Sequence, residues 1–186
     1  MGRNRFVQAS TVRLELSDVY KRRLEDLKTK GVKLPAKKDE QNLGRPAEPV
    51  YRAATEKELA DAQRDLEVAL ADGAWIEVKS ELTAGETIAA SEGTVKPMHF
   101  GDRPEVDLKN FKNATILAFV TAWSLEDAKG PVPFDANALD NVDPETWAEI
   151  NQAVDWHENQ VLAAREARKN ATAGRTKSED TSLSVG

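Results

Sequence analysis

Three of the four tryptophans, Trp75, Trp123 and Trp147, lie in the stretch that also holds the chain's clearest turn and cap signals, and this combination most constrains the fold. Trp75-Ile76-Glu77-Val78-Lys79 alternates apolar with polar residues, as a short strand does. Trp123-Ser124-Leu125-Glu126-Asp127 ends an apolar run, Gly130-Pro131-Val132-Pro133 breaks the chain, and Asp143-Pro144 sets an N-cap before a proline at the first helical position. Bulky aromatics on short, punctuated elements describe a small folded module, and none of these elements carries a catalytic constellation.

The flanking segments extend that module. Val12, Leu14 and Leu16 alternate with Thr11, Arg13 and Glu15, which predicts a half-buried strand within 6–16. Ser17 or Asp18 can cap a short helix with Tyr20, Leu24 and Leu27 on one face, ended by Gly31. Residues 32–50, with Pro35, Pro46 and Pro49, read as an extended linker. Thr55-Glu56-Lys57-Glu58 is a capping box opening a helix with Leu59, Ala62, Leu66, Ala69 and Leu70 on a stripe, stopped at Gly73. Thr83-Ala84-Gly85-Glu86 repeats the box before a short helix to about Ala90, and residues 91–104 read as a loop.

From Val106 to Trp123 the apolar surface is broad enough to predict the central core helix. Asp135 can cap a short helix around Leu139, and a long last helix carries Trp147, Ile150, Val154, His157 and Val161 at three- and four-residue spacing. Residues 171–186 are small and polar and predict a disordered tail. The expected fold is mainly α: a small helical domain with a minor two-stranded β-hairpin, a charged helical arm and a disordered C-terminal tail. Residues 1–18 supply the N-terminal strand, 19–72 the arm, 73–170 the helical core and 171–186 the tail. The strands ending at Leu16 and starting at Trp75 are expected to pair as the domain's only sheet, with the arm inserted between them.

Charge and composition exclude several classes. Residues 1–72 hold 15 Lys/Arg against 13 Asp/Glu, and residues 73–186 hold 11 against 19. The basic cluster around Lys21-Arg22-Arg23 is interleaved with Glu25, Asp26, Asp39 and Glu40, with Tyr20 its one stacking partner, so nucleic acid is not an expected partner. No apolar run approaches the roughly 20 residues that cross a bilayer, and the basic start lacks an apolar signal core, so neither membrane insertion nor secretion is expected. With no cysteine there is no disulfide, thiolate ligand or thiol nucleophile, which fits a reducing cytoplasm.

Chemistry finds no foothold in the chain. His157 and His99, the two histidines, are far apart with no HExxH spacing to join them, so His157 reads as an ordinary helix histidine and no metal is expected. Pairs such as Glu56 with Glu58, or Glu126 with Asp127, are what caps and turns use. No phosphate-binding glycine loop and no GxSxG occur, so no cofactor, no catalytic residue and no enzymatic activity are expected. Trp75 and Trp123 read as core residues. Trp147 and Trp156 are nine residues apart, about half a circle at roughly 3.6 residues per turn, so they cannot share one core face. Trp147, beside the cap, is expected inside. Trp156, with Gln160 and Val161, is then the candidate partner-binding surface, since an exposed Trp is a good interface anchor.

Leu14-Glu15-Leu16-Ser17-Asp18, Gly73-Ala74-Trp75-Ile76-Glu77-Val78-Lys79 with Glu81-Leu82-Thr83-Ala84-Gly85-Glu86, Trp123-Ser124-Leu125, Gly130-Pro131-Val132-Pro133 through Leu139-Asp140, and Asp143-Pro144-Glu145-Thr146 together resemble the tail assembly chaperones of long-tailed bacteriophages. The resemblance covers roughly residues 10–165, interrupted by 19–72, which look like an insertion. It implies a non-enzymatic factor of the host cytoplasm that binds the tape measure protein, assists loading of the tail tube protein, and can self-associate or occur in a longer frameshifted form. Two alternatives stand beside it: a structural virion protein, such as a minor tail or head-tail connector subunit, and a small regulatory binding protein.

Overall fold

The computed structural model describes residues 10–34, 49–91 and 108–179. It is mainly α-helical with a few short antiparallel strand pairs, and it divides into two compact units, Leu14–Trp75 and the remainder.

The Leu14–Trp75 unit is a helical hairpin with its own core. Helix α1 (Ser17–Thr29) and helix α2 (Glu56–Asp72) pack together through Leu24, Ala62 and Leu66, with Tyr20, Leu27 and Leu59 against them. These are the apolar positions that recur at helical spacing in both segments. Neither Ser17 nor Asp18 caps α1. The N-cap position is Leu16, with no side-chain cap bond, and Ser17 is buried as the first helical residue. The α2 capping box forms as the sequence predicts: the Glu58 N–H donates to the Thr55 hydroxyl at 3.3 Å, and the Thr55 N–H donates to the Glu58 carboxylate at 2.9 Å. Gly73 ends α2 in the left-handed region at φ 66°, its N–H donating to the Ala69 carbonyl.

After α1 the chain turns at Gly31 (φ 80°) into strand β2 (Val32–Lys33), which pairs antiparallel with strand β3 (Tyr51–Arg52). The expected linker therefore begins and ends in a short ladder, extended by the Leu34 N–H donating to the Val50 carbonyl; residues 35–48 lie outside the described residues. The backbones are so close here that a Cβ on Gly31 would run into the Arg52 carbonyl. The unit's two ends meet, the Leu16 N–H donating to the Ala74 carbonyl at 2.9 Å.

Strand β1 (Thr11–Glu15) and strand β4 (Trp75–Lys79) carry the chain between the units and are neighbours in one sheet, as expected. That sheet is not a two-stranded hairpin. Strand β5 (Val120–Trp123) joins it in the order β1-β4-β5, with Ile76 opposite Trp123 and Val78 opposite Val120 across a bulge. Residues 120–123 were expected to close the central core helix. Instead helix α4 (Leu108–Phe119) stops at Phe119 and Val120-Thr121-Ala122-Trp123 pairs with β4, where the bulge lets both Val120 and Trp123 be buried although they lie three residues apart. Two further strands, β6 (Glu126–Asp127) and β7 (Gly130–Pro131), form the turn that Gly130-Pro131 signals.

In this second unit, Ile76 and Val78 of β4 point inward and are fully buried, as are Ile116 of α4 and Ile150 of helix α6 (Pro144–Glu179); Val154 of α6 is nearly so. Helix α3 (Ala84–Ser91) packs on α4, and helix α5 (Ala136–Asn141) contributes the buried Leu139. Both predicted caps form. The Ala138 N–H donates to Asp135, and the Glu145 and Thr146 N–H groups donate to Asp143. Helix α6 runs on through residues 171–179, where composition predicts a tail. Residues 180–186, residues 92–104 of the expected loop, and residues 105–107, where the core helix was expected to begin, lie outside the described residues.

Candidate functional site

Helix α6 carries the candidate partner-binding residues, and its orientation follows from what it buries. Ile150, Ala153, Val154 and His157 form the inward face. Trp147 sits on one flank of that face and Trp156 on the other, and both are half-buried. The expected division, with Trp147 inside and Trp156 outside, therefore does not hold. The nine-residue spacing places the two rings on opposite sides of the helix axis, and the buried face lies between them.

Gln160, one turn beyond Trp156, is exposed and shares its side of the helix. Val161 does not. It follows Val154 and His157 at seven- and four-residue spacing, so it continues the inward stripe and is half-buried. Beyond it Leu162 is 48% exposed. Arg165 and Arg168 tie this part of α6 down: Arg165 donates to the Leu82 carbonyl at 3.1 Å, and Arg168 pairs with Glu81. The two arginines hold the Glu81 carboxyl below its ordinary pKa, Arg168 more than Arg165.

Trp147 is fixed by a hydrogen-bond relay. Its indole N–H donates to Asn113 Oδ1 at 2.8 Å, and the Asn113 amide donates to Asp140 at 3.2 Å. Lys112, the neighbour of Asn113 on α4, bridges to both Asp155 oxygens at 2.6 and 2.7 Å. Trp123 is in the core, as expected: it is 7% exposed, its N–H donates to the Val132 carbonyl at 2.7 Å, and it meets Phe134 edge-on at 4.9 Å. Trp75, expected in the core, is half-buried.

His157 and the capping-box acids Glu58 and Glu86 are engaged in structure. His157 is buried, with Nε2 2.8 Å from the Lys79 carbonyl and its ring edge-on to Phe119 at 5.7 Å. Among the described residues no three His, Cys, Asp or Glu side chains are grouped so as to hold a metal, and no helix is long and apolar enough to cross a membrane. Glu58 and Glu86, the two capping-box acids, are held down to about 2. For Glu58 the main cause is its two-point pairing with Arg52, followed by the Thr55 N–H and hydroxyl. For Glu86 it is Lys79 at 2.7 Å, followed by the Thr83 N–H and hydroxyl. These shifts report caps and ion pairs, not an acid–base site.

The sequence reading missed the concave surface that Trp147 helps to line. Leu139, Val142 and Pro144 surround the indole in a cavity of about 340 Å³, completed by Asn113 and Asp140. Asn113 and Asp140 lie on different helices from Trp147, so periodicity along α6 carries no sign of them. No protein-family model, no curated protein and no solved structure matches this chain.

Proposed function

We propose that this chain is a tail assembly chaperone of a long-tailed bacteriophage: a non-enzymatic protein of the host cytoplasm that binds the tape measure protein and assists tail tube assembly. The support is twofold. The motifs around Trp75, Trp123 and Asp143 resemble that family, and α6 offers a face on which a helical partner can lie. The observation that carries the reading is the side of α6 shared by Trp156 and Gln160, a half-buried tryptophan with an exposed residue one turn beyond it. A large, half-buried aromatic side chain is a favourable anchor for an amphipathic helix. In this reading Trp156 and Gln160 make the contact, and Val161 holds the helix in place beneath them.

Co-expression with the tape measure protein of the same phage tests this. Trp156→Ala is expected to fold, by circular dichroism, and to lose most of the captured partner. A folded Trp156→Ala that captures the partner normally overturns the assignment. Purified virions supply the second readout: a chaperone is absent from them, and the presence of this chain at stoichiometric level would make it a structural virion protein instead.

A further inference from the structure

Two cavities adjoin where α5 passes into α6. The smaller, about 340 Å³, is walled by Leu139, Val142, Pro144 and Trp147. The larger, about 710 Å³, shares Val142 and has Glu126, Asp127, Asp135 and Asp143 in its lining. Asp140 adds a fifth carboxylate on the smaller side, and none of the residues lining either cavity is cationic. The smaller cavity alone lies at the lower end of the roughly 300–1,000 Å³ range of binding clefts.

Trp147 is prepared for contact. Its N–H is committed to Asn113 and, through the Asn113 amide, to Asp140, so the ring is already oriented and little rotamer freedom remains to be lost on binding. A pinned, half-buried tryptophan among aliphatic side chains and proline is the composition of an interface hot spot. The carboxylates decide what can approach it. All five belong to exposed residues, and those of Asp135 and Asp143 accept helix N-terminal N–H groups; at Asp143 the Thr146 and Glu145 N–H groups hold the carboxyl below its ordinary pKa.

The geometry points to a docking site for a basic amphipathic helix of a partner protein, an apolar side chain seated against Trp147 and Val142 and Lys or Arg residues facing Asp140 and the neighbouring carboxylates. Charge complementarity selects this occupant over an acidic segment and over nucleic acid. The site is separate from the Trp156–Gln160 face, and the inference does not rest on the tail-assembly reading.

The test uses the full chain and a fluorescent synthetic helix of roughly 18 residues, long enough to fold on contact, built from Leu and Lys, with a Leu/Glu helix of the same pattern as control. Anisotropy should show saturable binding of the Leu/Lys helix and none of the Leu/Glu helix. Backbone amide shifts should concentrate at Asn113 and residues 139–147. Asp140→Asn should weaken binding about two- to fivefold, the worth of one exposed ion pair, and Val142→Arg should abolish it. Glu67→Gln, the same charge change in the Leu14–Trp75 unit, should leave it unchanged. Equal binding of both helices overturns the inference, as do shifts centred on Trp156, shifts that track protein concentration alone and so report a second copy, or a folded Val142→Arg that binds normally. Should Val142→Arg not fold, Asp140→Asn with the shift map decides: full affinity, or a map elsewhere, overturns it.

Discussion

Trp123 fastens strand β5 to the segment that follows the β6–β7 turn, and shortening it in two steps separates the hydrogen bond from the packing. In Trp123→Phe the ring remains and can still meet Phe134, but the Val132 carbonyl loses the indole donor 2.7 Å away. Stranding one partly buried acceptor costs about 1–3 kcal/mol. In Trp123→Ala a side chain only 7% exposed disappears as well. Large-to-small aromatic truncation costs roughly 3–5 kcal/mol, and the edge-on ring pair is worth roughly another 0.5–1.5 kcal/mol. The alanine variant should therefore fall at least about 2 kcal/mol below the phenylalanine variant, a large fraction of an ordinary stability of about 5–15 kcal/mol. Urea unfolding followed by indole fluorescence reads this directly in a Trp75→Phe background, because Trp147 and Trp156 then report on their own unit alone. A phenylalanine variant as stable as the parent would refute the hydrogen-bond step, and equal losses for the two variants would refute the packing step. An alanine variant within about 1 kcal/mol of the parent would refute the core placement itself.

Two further outcomes follow from the caps and the turns. Glu58 and Glu86 titrate near 2 when folded and near 4.5 when not, so their contribution is complete above about pH 4.5 and is lost as pH falls toward 2; amide exchange at the first turns of α2 and α3 should accelerate across that window, less steeply in high salt, and Glu86→Gln should remove the α3 change only. Gly31→Ala should destabilise far more than Gly73→Ala, because both positions have positive φ but only Gly31 faces a carbonyl that a Cβ would strike; Gly73→Ala should cost about 1–2 kcal/mol by thermal melting, and equal effects at the two glycines would contradict the close β2–β3 approach.

The local grammar of the chain was legible wherever one short segment contains both partners of an interaction. Thr55 with Glu58, Thr83 with Glu86, Asp135 with the Ala138 N–H, and Asp143 with the Thr146 N–H all close within three residues, so spacing alone specifies them. The same holds for Tyr20, Leu24 and Leu27 facing Leu59, Ala62 and Leu66, since each stripe can be read without knowing its partner. Ser17 failed as a cap for a tertiary reason: the chain enters α1 directly from strand β1, and the hydroxyl is buried at the first helical position.

Residues 120–123 show where periodicity stops deciding. Both Phe119 and Val120 are buried, and a continuous apolar run satisfies helix and strand patterns equally; what selects the strand is β4, whose Ile76 and Val78 lie more than forty residues upstream and offer a ladder. The same limit applies to the tryptophans of α6. Their spacing placed them on opposite sides of the helix, and that is where they are, but which side is covered depends on α4 and α5. Trp147 gains Asn113, Leu139 and Asp140 from those helices and becomes the wall of a cleft instead of a core residue. A periodicity orients a side chain about its own helix axis only; whether that direction leads into a core, a cleft or solvent is set by elements distant in sequence, which is why the caps were readable and the cavity was not.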